Sequence, residues 1–282
     1  MFIDYHVHTS FSDDSEYPME EVIKKAISLG INEICFTEHV DYGVKVDVNS
    51  DKEEDYLSNK RVSNCNYTDY IKEFERCKEI YESKIVLKLG IEFGIQTHTI
   101  NKFQRDFDKF NFDFVILSCH QVDDKEFFIF KFQEGKTQEE YNKRYYQELL
   151  NVIKKYKDYS VLGHLDLIKR YDKAGNYSFE NVKDLITEIL KEVIKDGKGI
   201  EVNTSNFRYK LPDLTPSRDI LKLYKELGGT VISLGSDSHR EEHLGHKILD
   251  IKEELKEIFI DISKAKKELK KVYQQAHPRS KK

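Results

Sequence analysis

The sequence predicts an α/β protein whose strands form a parallel sheet or barrel. The chain has 282 residues, a length that α/β barrels commonly use for one domain. Short apolar runs alternate with longer amphipathic stretches, which is the pattern of repeated βα units. Histidine, aspartate or glutamate follows most of the apolar runs. This placement indicates function because a parallel barrel assembles its active site at the carboxyl ends of its strands.

The apolar runs give the predicted strands and the stretches between them give the predicted helices. The strands are predicted at residues 2–7, 33–37, 86–91, 112–118, 160–163, 199–203 and 230–234. The helices are predicted at residues 18–29, 67–81, about 98–110, 137–156, 179–195 and 216–227. The first helix has a proline, Pro18, near its start, where proline is tolerated.

Two segments fall outside this alternation. Residues 41–66 are polar, dense in Asp, Asn and Ser, and without a clear period, so they are predicted to form a long loop inserted after the second strand. Residues at about 250–272 are predicted to form one or two charged helices, with a frayed end at 274–282. We therefore predict a single barrel domain over residues 1–282.

Composition narrows the possible partners and compartment. Asp and Glu number 51 against 46 Lys and Arg, which gives a formal net charge of −5 and no general attraction to nucleic acid. The first residues do not resemble a secretory signal, and no run approaches the roughly 20 apolar residues that cross a bilayer. The four cysteines are too far apart for a Cys-x-x-Cys site. We expect a cytoplasmic protein with no nucleic-acid or membrane partner, whose oligomeric state the sequence leaves open.

The potential metal ligands converge on one face of the predicted barrel. In chain order they are His6 and His8, Glu38 and His39, Glu92, His120, His164, and Asp237 with His239. His6 and His8 are two residues apart on a strand and therefore point the same way. Asp237 and His239 would do so as well if the chain there is extended.

A metal centre explains this cluster better than a set of structural side chains does. A single buried His or Glu at a strand end is usually a hydrogen-bonded structural group. Many of them together are different, because crowded carboxylates repel one another and lose hydration, whereas divalent cations stabilise the same cluster. Imidazole and carboxylate donors suit zinc, manganese or iron, and their number fits three ions. A carboxylate such as Glu92 can bridge two of these ions, and a water shared by two cations loses a proton near neutral pH.

The motifs together resemble one protein superfamily. They are His6-Val7-His8-Thr9, Thr37-Glu38-His39, Gly90-Ile91-Glu92, Ser118-Cys119-His120, Gly163-His164-Leu165-Asp166 and Gly235-Ser236-Asp237-Ser238-His239. Their order and spacing over residues 2 to about 245 resemble the polymerase and histidinol phosphatase (PHP) superfamily. The chain is most similar to its monofunctional histidinol-phosphate phosphatase branch. That branch is indicated by Phe36-Thr37-Glu38-His39, the long insertion, Gly90-Ile91-Glu92-Phe93-Gly94, Arg170-Tyr171 and Glu201-Val202-Asn203-Thr204-Ser205.

This resemblance implies a distorted (β/α)7, TIM-like barrel with a trinuclear metal site at the C-terminal ends of its strands. The first ion would be bound by His6, His8, Glu92 and Asp237. The second would be bound by Glu92, His120 and His164. The third would be bound by His39, His239 and Asp14. Asp13 is the alternative to Asp14, and the structural alternative for both aspartates is a turn that caps the helix beginning near Pro18.

The resemblance also implies the reaction. The expected activity is hydrolysis of L-histidinol phosphate, a small phosphate monoester of histidine biosynthesis, to L-histidinol and inorganic phosphate, by a metal-bridging hydroxide that attacks phosphorus. Glu92, Asp237 and His239 are the expected catalytic residues. Arg170 and Arg208 follow the fifth and sixth strands and are expected to bind the phosphate, because a guanidinium matches two phosphate oxygens at once.

Two other functions remain open at this stage. The first is a PHP-type phosphoesterase or nuclease that acts on another small phosphate ester or on nucleic acid. The second is a non-catalytic domain that is stabilised by metal. Metal analysis together with a phosphatase assay separates these functions from the expected one.

Overall fold

A parallel sheet forms the centre of the molecule. The computed structural model describes residues 1–46, 56–57 and 60–258. Within these residues seven strands form one sheet in chain order, and all neighbouring pairs are parallel. The strands are β1 (Ile3–Val7), β2 (Glu33–Val40), β3 (Val86–Gly94), β4 (Phe114–Ser118), β5 (Val161–Leu162), β6 (Gly199–Asn203) and β7 (Ile232–Gly235). The bounds of each strand lie within a few residues of the predicted range.

The first and last strands meet and close the sheet into a barrel. Val7 forms a parallel bridge with Ser238, just beyond β7. The His8 N–H donates to the Ser238 carbonyl at 2.8 Å. The buried Asp4 carboxylate on β1 fastens the same seam, since it accepts hydrogen bonds from the Ser236 N–H at 2.9 Å and from the Ser236 hydroxyl at 2.5 Å. The expected TIM-like barrel is confirmed.

Helices pack around the barrel with one apolar face inward. They are α1 (Met19–Ser28), α2 (Tyr67–Tyr81), α3 (Ile100–Lys109), α4 (Gln138–Lys155), α5 (Lys183–Lys195), α6 (Arg218–Glu226) and α7 (Ile248–Ile258). Met19, Val22, Ile23 and Ala26 are the buried residues of α1 and have helical spacing. The start of α4 is fixed by a capping box between Thr137 and Glu140. None of the described helices is long and apolar enough to cross a membrane.

Two segments depart from the sequence expectations, and a third is described only in part. Residues 41–66, predicted as a loop, contain an antiparallel pair, Tyr56–Leu57 with Lys60–Arg61, and a bridge between Val46 and Ser63. A second short pair, Gln121–Val122 with Lys125–Glu126, follows β4 and was not predicted. Of the predicted C-terminal helices the structure describes α7, and the remainder lies outside the described residues.

Candidate metal centre and active site

The carboxylate of Glu92 lies at the centre of the site. Glu92 is on β3 and is fully buried. Its Oε2 atom lies 3.2 Å from Nε2 of His6 and 3.5 Å from Nε2 of His8, both on or next to β1. The same oxygen lies 3.0 Å from Nδ1 of His39 at the end of β2. Three of the strand-end histidines predicted from the sequence therefore meet at one oxygen.

The other oxygen of Glu92 faces a different pair of imidazoles. Its Oε1 atom lies 3.2 Å from Nε2 of His120 and 2.8 Å from Nε2 of His164. It also accepts a hydrogen bond from the Ser118 hydroxyl at 2.6 Å. The two oxygens of one carboxylate thus face two separate groups of histidines, which is the arrangement required of a bridging ligand.

Asp237 completes the group around His6 and His8. Its Oδ1 atom lies 3.7 Å from Nε2 of His6 and 3.5 Å from Nε2 of His8. The chain is not extended at this point, because Asp237 has a φ of 54°, a left-handed conformation that is uncommon for aspartate. Arg208 supports this conformation by donating to the Asp237 carbonyl at 2.5 Å. Asp237 and His239 therefore reach the site through a turn, with Oδ1 of Asp237 3.6 Å from Nδ1 of His239.

Asp14, and not Asp13, faces the third group of ligands. Its Oδ2 atom lies 3.5 Å from Nε2 of His39 and 3.2 Å from Nε2 of His239, and the two imidazole nitrogens are 3.3 Å apart. Asp13 is paired with Lys45 at 2.8 Å. The structural alternative does not apply, because no side chain caps α1.

Glu38 lies outside the cluster. Successive residues of a strand point to opposite faces, so Glu38 points away from the side that His39 occupies. Its carboxylate accepts hydrogen bonds from the Thr9 N–H, at 3.0 Å, and from the Ser12 hydroxyl, at 2.6 Å. Glu38 therefore organises the loop after β1 rather than joining the ligands.

Opposite charges in the cluster shift its pKa values strongly. Burial would raise the pKa of Glu92, but His6, His120 and His39 hold it well below its usual range. Burial would lower the pKa of His6, but Glu201, Glu92 and Asp237 hold it well above its usual range. The charges of the carboxylates and imidazoles thus compensate one another.

The donor set fits divalent metal ions. The fully buried Nε2 of His8 and Nδ1 of His39 make no hydrogen bond to any described residue, although both lie close to carboxylates. Buried polar atoms rarely lack a partner, so these nitrogens are available as ligands. Three of the groups of His, Asp and Glu that lie close enough to share an ion are His8, His39 and His239; His6, Glu92 and His164; and His6, His8 and Asp237.

A cavity of about 490 Å³ opens onto the cluster and contains both predicted arginines. Arg170 donates to the Ser205 hydroxyl at 2.5 Å, and its guanidinium lies 4.1 Å from the ring centre of Tyr209. Each arginine has an Nη2 atom 3.4 Å from Oδ2 of Asp237. The cationic groups thus lie directly beside the carboxylates of the candidate metal centre.

The PHP domain family matches residues 4–205 of the chain, which include most of these ligands. The chain belongs to the PHP family. The histidinol-phosphatase of Lactococcus lactis is 33% identical over 243 residues, which cover 84% of each chain. A probable histidinol-phosphatase of Thermotoga maritima is 29% identical over 90% of this chain and 91% of its own.

A solved structure of a PHP relative has the same fold. It is histidinol phosphate phosphatase from Lactococcus lactis in complex with zinc, L-histidinol and phosphate. The two structures superpose with a TM-score of 0.74 at 31% sequence identity, and the match covers 93% of each chain. The family predicted from the motifs is confirmed.

Two site residues of this PHP chain were not predicted from the sequence. Glu201 on β6 lies 2.5 Å from Nδ1 of His6 and accepts a hydrogen bond from the His164 N–H at 2.9 Å. Asp41 lies 2.7 Å from Nδ1 of His120. Each carboxylate holds an imidazole so that its Nε2 atom faces Glu92, as carboxylates behind metal-binding histidines commonly do. The available signals were the presence of Glu201 in the motif Glu201-Val202-Asn203-Thr204-Ser205 and the position of Asp41 two residues after His39.

Proposed function

We propose that this PHP protein is a metal-dependent phosphatase that hydrolyses L-histidinol phosphate to L-histidinol and inorganic phosphate. The observation that carries the proposal is the position of Asp237 between the imidazole cluster and the two arginines. Its Oδ1 atom faces the imidazoles of the candidate metal centre, while its Oδ2 atom lies 3.4 Å from both Arg170 and Arg208. A phosphoryl group bound beside Asp237 would contact metal ions on one side and the two arginines on the other. The histidinol-phosphatase relatives support the same substrate.

The described residues divide into three proposed ligand sets for zinc, manganese or iron. The first is His6, His8, Glu92 and Asp237. The second is Glu92, His120 and His164. The third is Asp14, His39 and His239. Divalent cations bound there would stabilise charge on the phosphoryl group and activate water near neutral pH. The two contrasting faces of Glu92 support its assignment to both the first set and the second.

The arginines are proposed to hold the phosphate. Arg170 is fixed by Ser205 and Tyr209, and Arg208 by the carbonyls of Ser236 and Asp237. Such contacts restrict each guanidinium before substrate binds, which reduces the entropy that binding must remove. Glu92, Asp237 and His239 are the other residues on which we expect turnover to depend.

The direct test is a screen of phosphate monoesters with the metal-loaded enzyme. L-Histidinol phosphate, 4-nitrophenyl phosphate, serine phosphate and a single-stranded oligonucleotide would be compared after loading with zinc or manganese. We expect the highest kcat/KM for L-histidinol phosphate. Faster hydrolysis of the oligonucleotide would identify a nuclease, and a purified protein that binds no metal and hydrolyses none of the substrates would be a non-catalytic domain.

A further inference from the structure

Glu126 places an additional carboxylate in the active-site cavity. It is the last residue of the short antiparallel pair that follows His120, and it lines the same cavity as the arginines and the metal ligands. Only 8% of the residue is exposed. Neither the ligand motifs nor the proposed phosphate contacts include it.

The carboxylate of Glu126 is not directly bonded to an oppositely charged group among the described residues. None of them donates a hydrogen bond to it or forms an ion pair with it, whereas Asp41, in the same cavity, is paired with both His120 and Lys45. Lys45 is bonded to Asp13 as well. Burial raises the pKa of Glu126 to about 7; Asp41 acts in the same direction, and the more distant charge of Lys45 acts in the opposite one. The carboxylate lines the cavity without a bonded partner, and at a functional site a ligand can supply the missing opposite charge.

The surroundings of Glu126 suit an organic cation. Phe128, two residues further on, and Leu167 contribute apolar walls to the cavity. A nitrogen cation on a short carbon skeleton can place its charge at a carboxylate and its carbons against such walls. The proposed substrate has this form, because L-histidinol phosphate carries an amine and an imidazole next to its phosphorylated carbon chain.

We propose that Glu126 binds the positively charged nitrogen in the alcohol part of the substrate. It is then a specificity residue that selects phosphate esters of amino alcohols over esters of neutral alcohols. This inference rests on the proposed phosphatase activity and extends it. Arg170 and Arg208 hold the phosphate end, and Glu126 holds the cationic end.

The experiment measures selectivity in Glu126→Gln, which keeps the shape of the side chain and removes its charge. The substrates are L-histidinol phosphate, the analogue that lacks the amine, the analogue that lacks the imidazole, and 4-nitrophenyl phosphate. We expect the ratio of kcat/KM for L-histidinol phosphate to that for 4-nitrophenyl phosphate to fall about ten- to a hundredfold, as for the loss of one charge-assisted contact. An analogue that lacks the nitrogen bound by Glu126 should be hydrolysed almost equally well by the wild type and by Glu126→Gln. The analogue whose kcat/KM changes least therefore shows, by the group it lacks, which nitrogen Glu126 binds.

Two further variants separate binding from a structural role. Glu126→Asp keeps the charge and should retain part of the selectivity, and Glu134→Gln, at an exposed position nearby, should leave the selectivity unchanged. The thermal unfolding temperature of Glu126→Gln should be equal to or higher than that of the wild type, because an unpaired buried charge is removed. A lower unfolding temperature with equal losses on all four substrates would show that Glu126 is structural and would overturn the proposal.

Failure of this inference differs from failure of the proposed function. If the wild-type enzyme hydrolyses L-histidinol phosphate best and Glu126→Gln keeps that preference, the inference is wrong and the function stands. If the wild type prefers a different cationic phosphate ester and Glu126→Gln abolishes that preference, the substrate is wrong and the role of Glu126 stands. If the wild type does not discriminate between cationic and neutral esters, the inference is wrong.

Discussion

Replacing Glu201 by glutamine tests how the protein orients its proposed metal ligands. Glu201 is buried, and its Oε1 atom lies 2.5 Å from Nδ1 of His6. Its Oε2 atom accepts from the His164 N–H at 2.9 Å and from the Asn203 amide at 3.3 Å. One carboxylate therefore fixes the ring of one proposed ligand and the backbone of another. The substitution keeps the volume and changes one acceptor oxygen into a donor NH2 group.

The expected effect of Glu201→Gln follows from these contacts. If the oxygen of the new side-chain amide faces His6, its NH2 group faces the His164 N–H, and a buried donor loses its acceptor. A loss of this kind costs about 1–3 kcal/mol. Carboxylates behind metal-binding histidines typically contribute a factor of about 10–100 to metal affinity, which corresponds to about 1.4–2.7 kcal/mol. We therefore expect Glu201→Gln to weaken metal binding by about 10- to 100-fold, and the unpaired His164 N–H to lower folding stability as a separate effect.

The assay is competition for metal with a chelator of known affinity. Wild type and Glu201→Gln would be loaded with zinc, dialysed against increasing chelator concentrations, and analysed for metal per chain. Glu148→Gln is the matched control, because Glu148 is also buried and accepts from a backbone N–H, that of Thr97 at 2.7 Å, but does not line the cavity. Identical retention by Glu201→Gln and the wild type would refute the reasoning. Equal losses from Glu201→Gln and Glu148→Gln would also refute it, because the effect would then reflect general destabilisation.

Four further outcomes are expected from the same site. Glu92→Gln should lower both metal content and turnover by orders of magnitude, measured by metal analysis and steady-state kinetics, because an amide cannot share negative charge between two ions. Arg170→Ala should reduce kcat/KM by roughly 10- to 150-fold with metal content unchanged, whereas Arg208→Ala should also lose metal, since Arg208 holds the backbone of the Asp237 turn. Asp14→Asn should reduce metal per chain more than Asp13→Asn does, and the reverse order would exchange their roles. Zinc at about 100 times its dissociation constant should stabilise the stripped protein by about 2.7 kcal/mol in denaturant unfolding, and no change would argue against a metal centre.

Most of the proposed ligands could be predicted because they follow recognisable strands, whereas Asp14 was indicated only by the resemblance to the PHP superfamily. His6, Glu92 and His164 come directly from or after buried apolar runs, and parallel strands bring their carboxyl ends to one edge. Alternation along the strand also shows that His39 and Glu38 point to opposite faces of the sheet, once the strand is known to continue to Val40. The sequence run predicted the strand only to residue 37, so this distinction was not available.

The contacts behind the ligands could not be predicted in the same way. Asp41 and His120 are 79 residues apart, and Asp13 and Lys45 are 32 residues apart. No local pattern relates such positions, because the backbone path of two loops decides whether they meet. The pairing of Lys45 with Asp13 nevertheless determines which aspartate faces His39. The choice between Asp13 and Asp14 thus depends on a contact with a residue that is distant in the sequence.

The position of the ligands links the candidate metal centre to closure of the barrel. His6 belongs to β1 and Asp237 follows β7, so the first proposed ion would connect the two strands that meet at the seam. The described contacts there include the bridge of Val7 with Ser238, the hydrogen bond from the Ser238 N–H to the His6 carbonyl at 3.3 Å, and the hydrogen bonds of Asp4. An ion held from both sides would strengthen this seam, because an ion that binds only the folded protein stabilises it. The same ligands would then serve both catalysis and barrel closure. Loss of metal should therefore loosen β1 and β7 before the interior of the sheet, where β2 pairs with β3 along its full length.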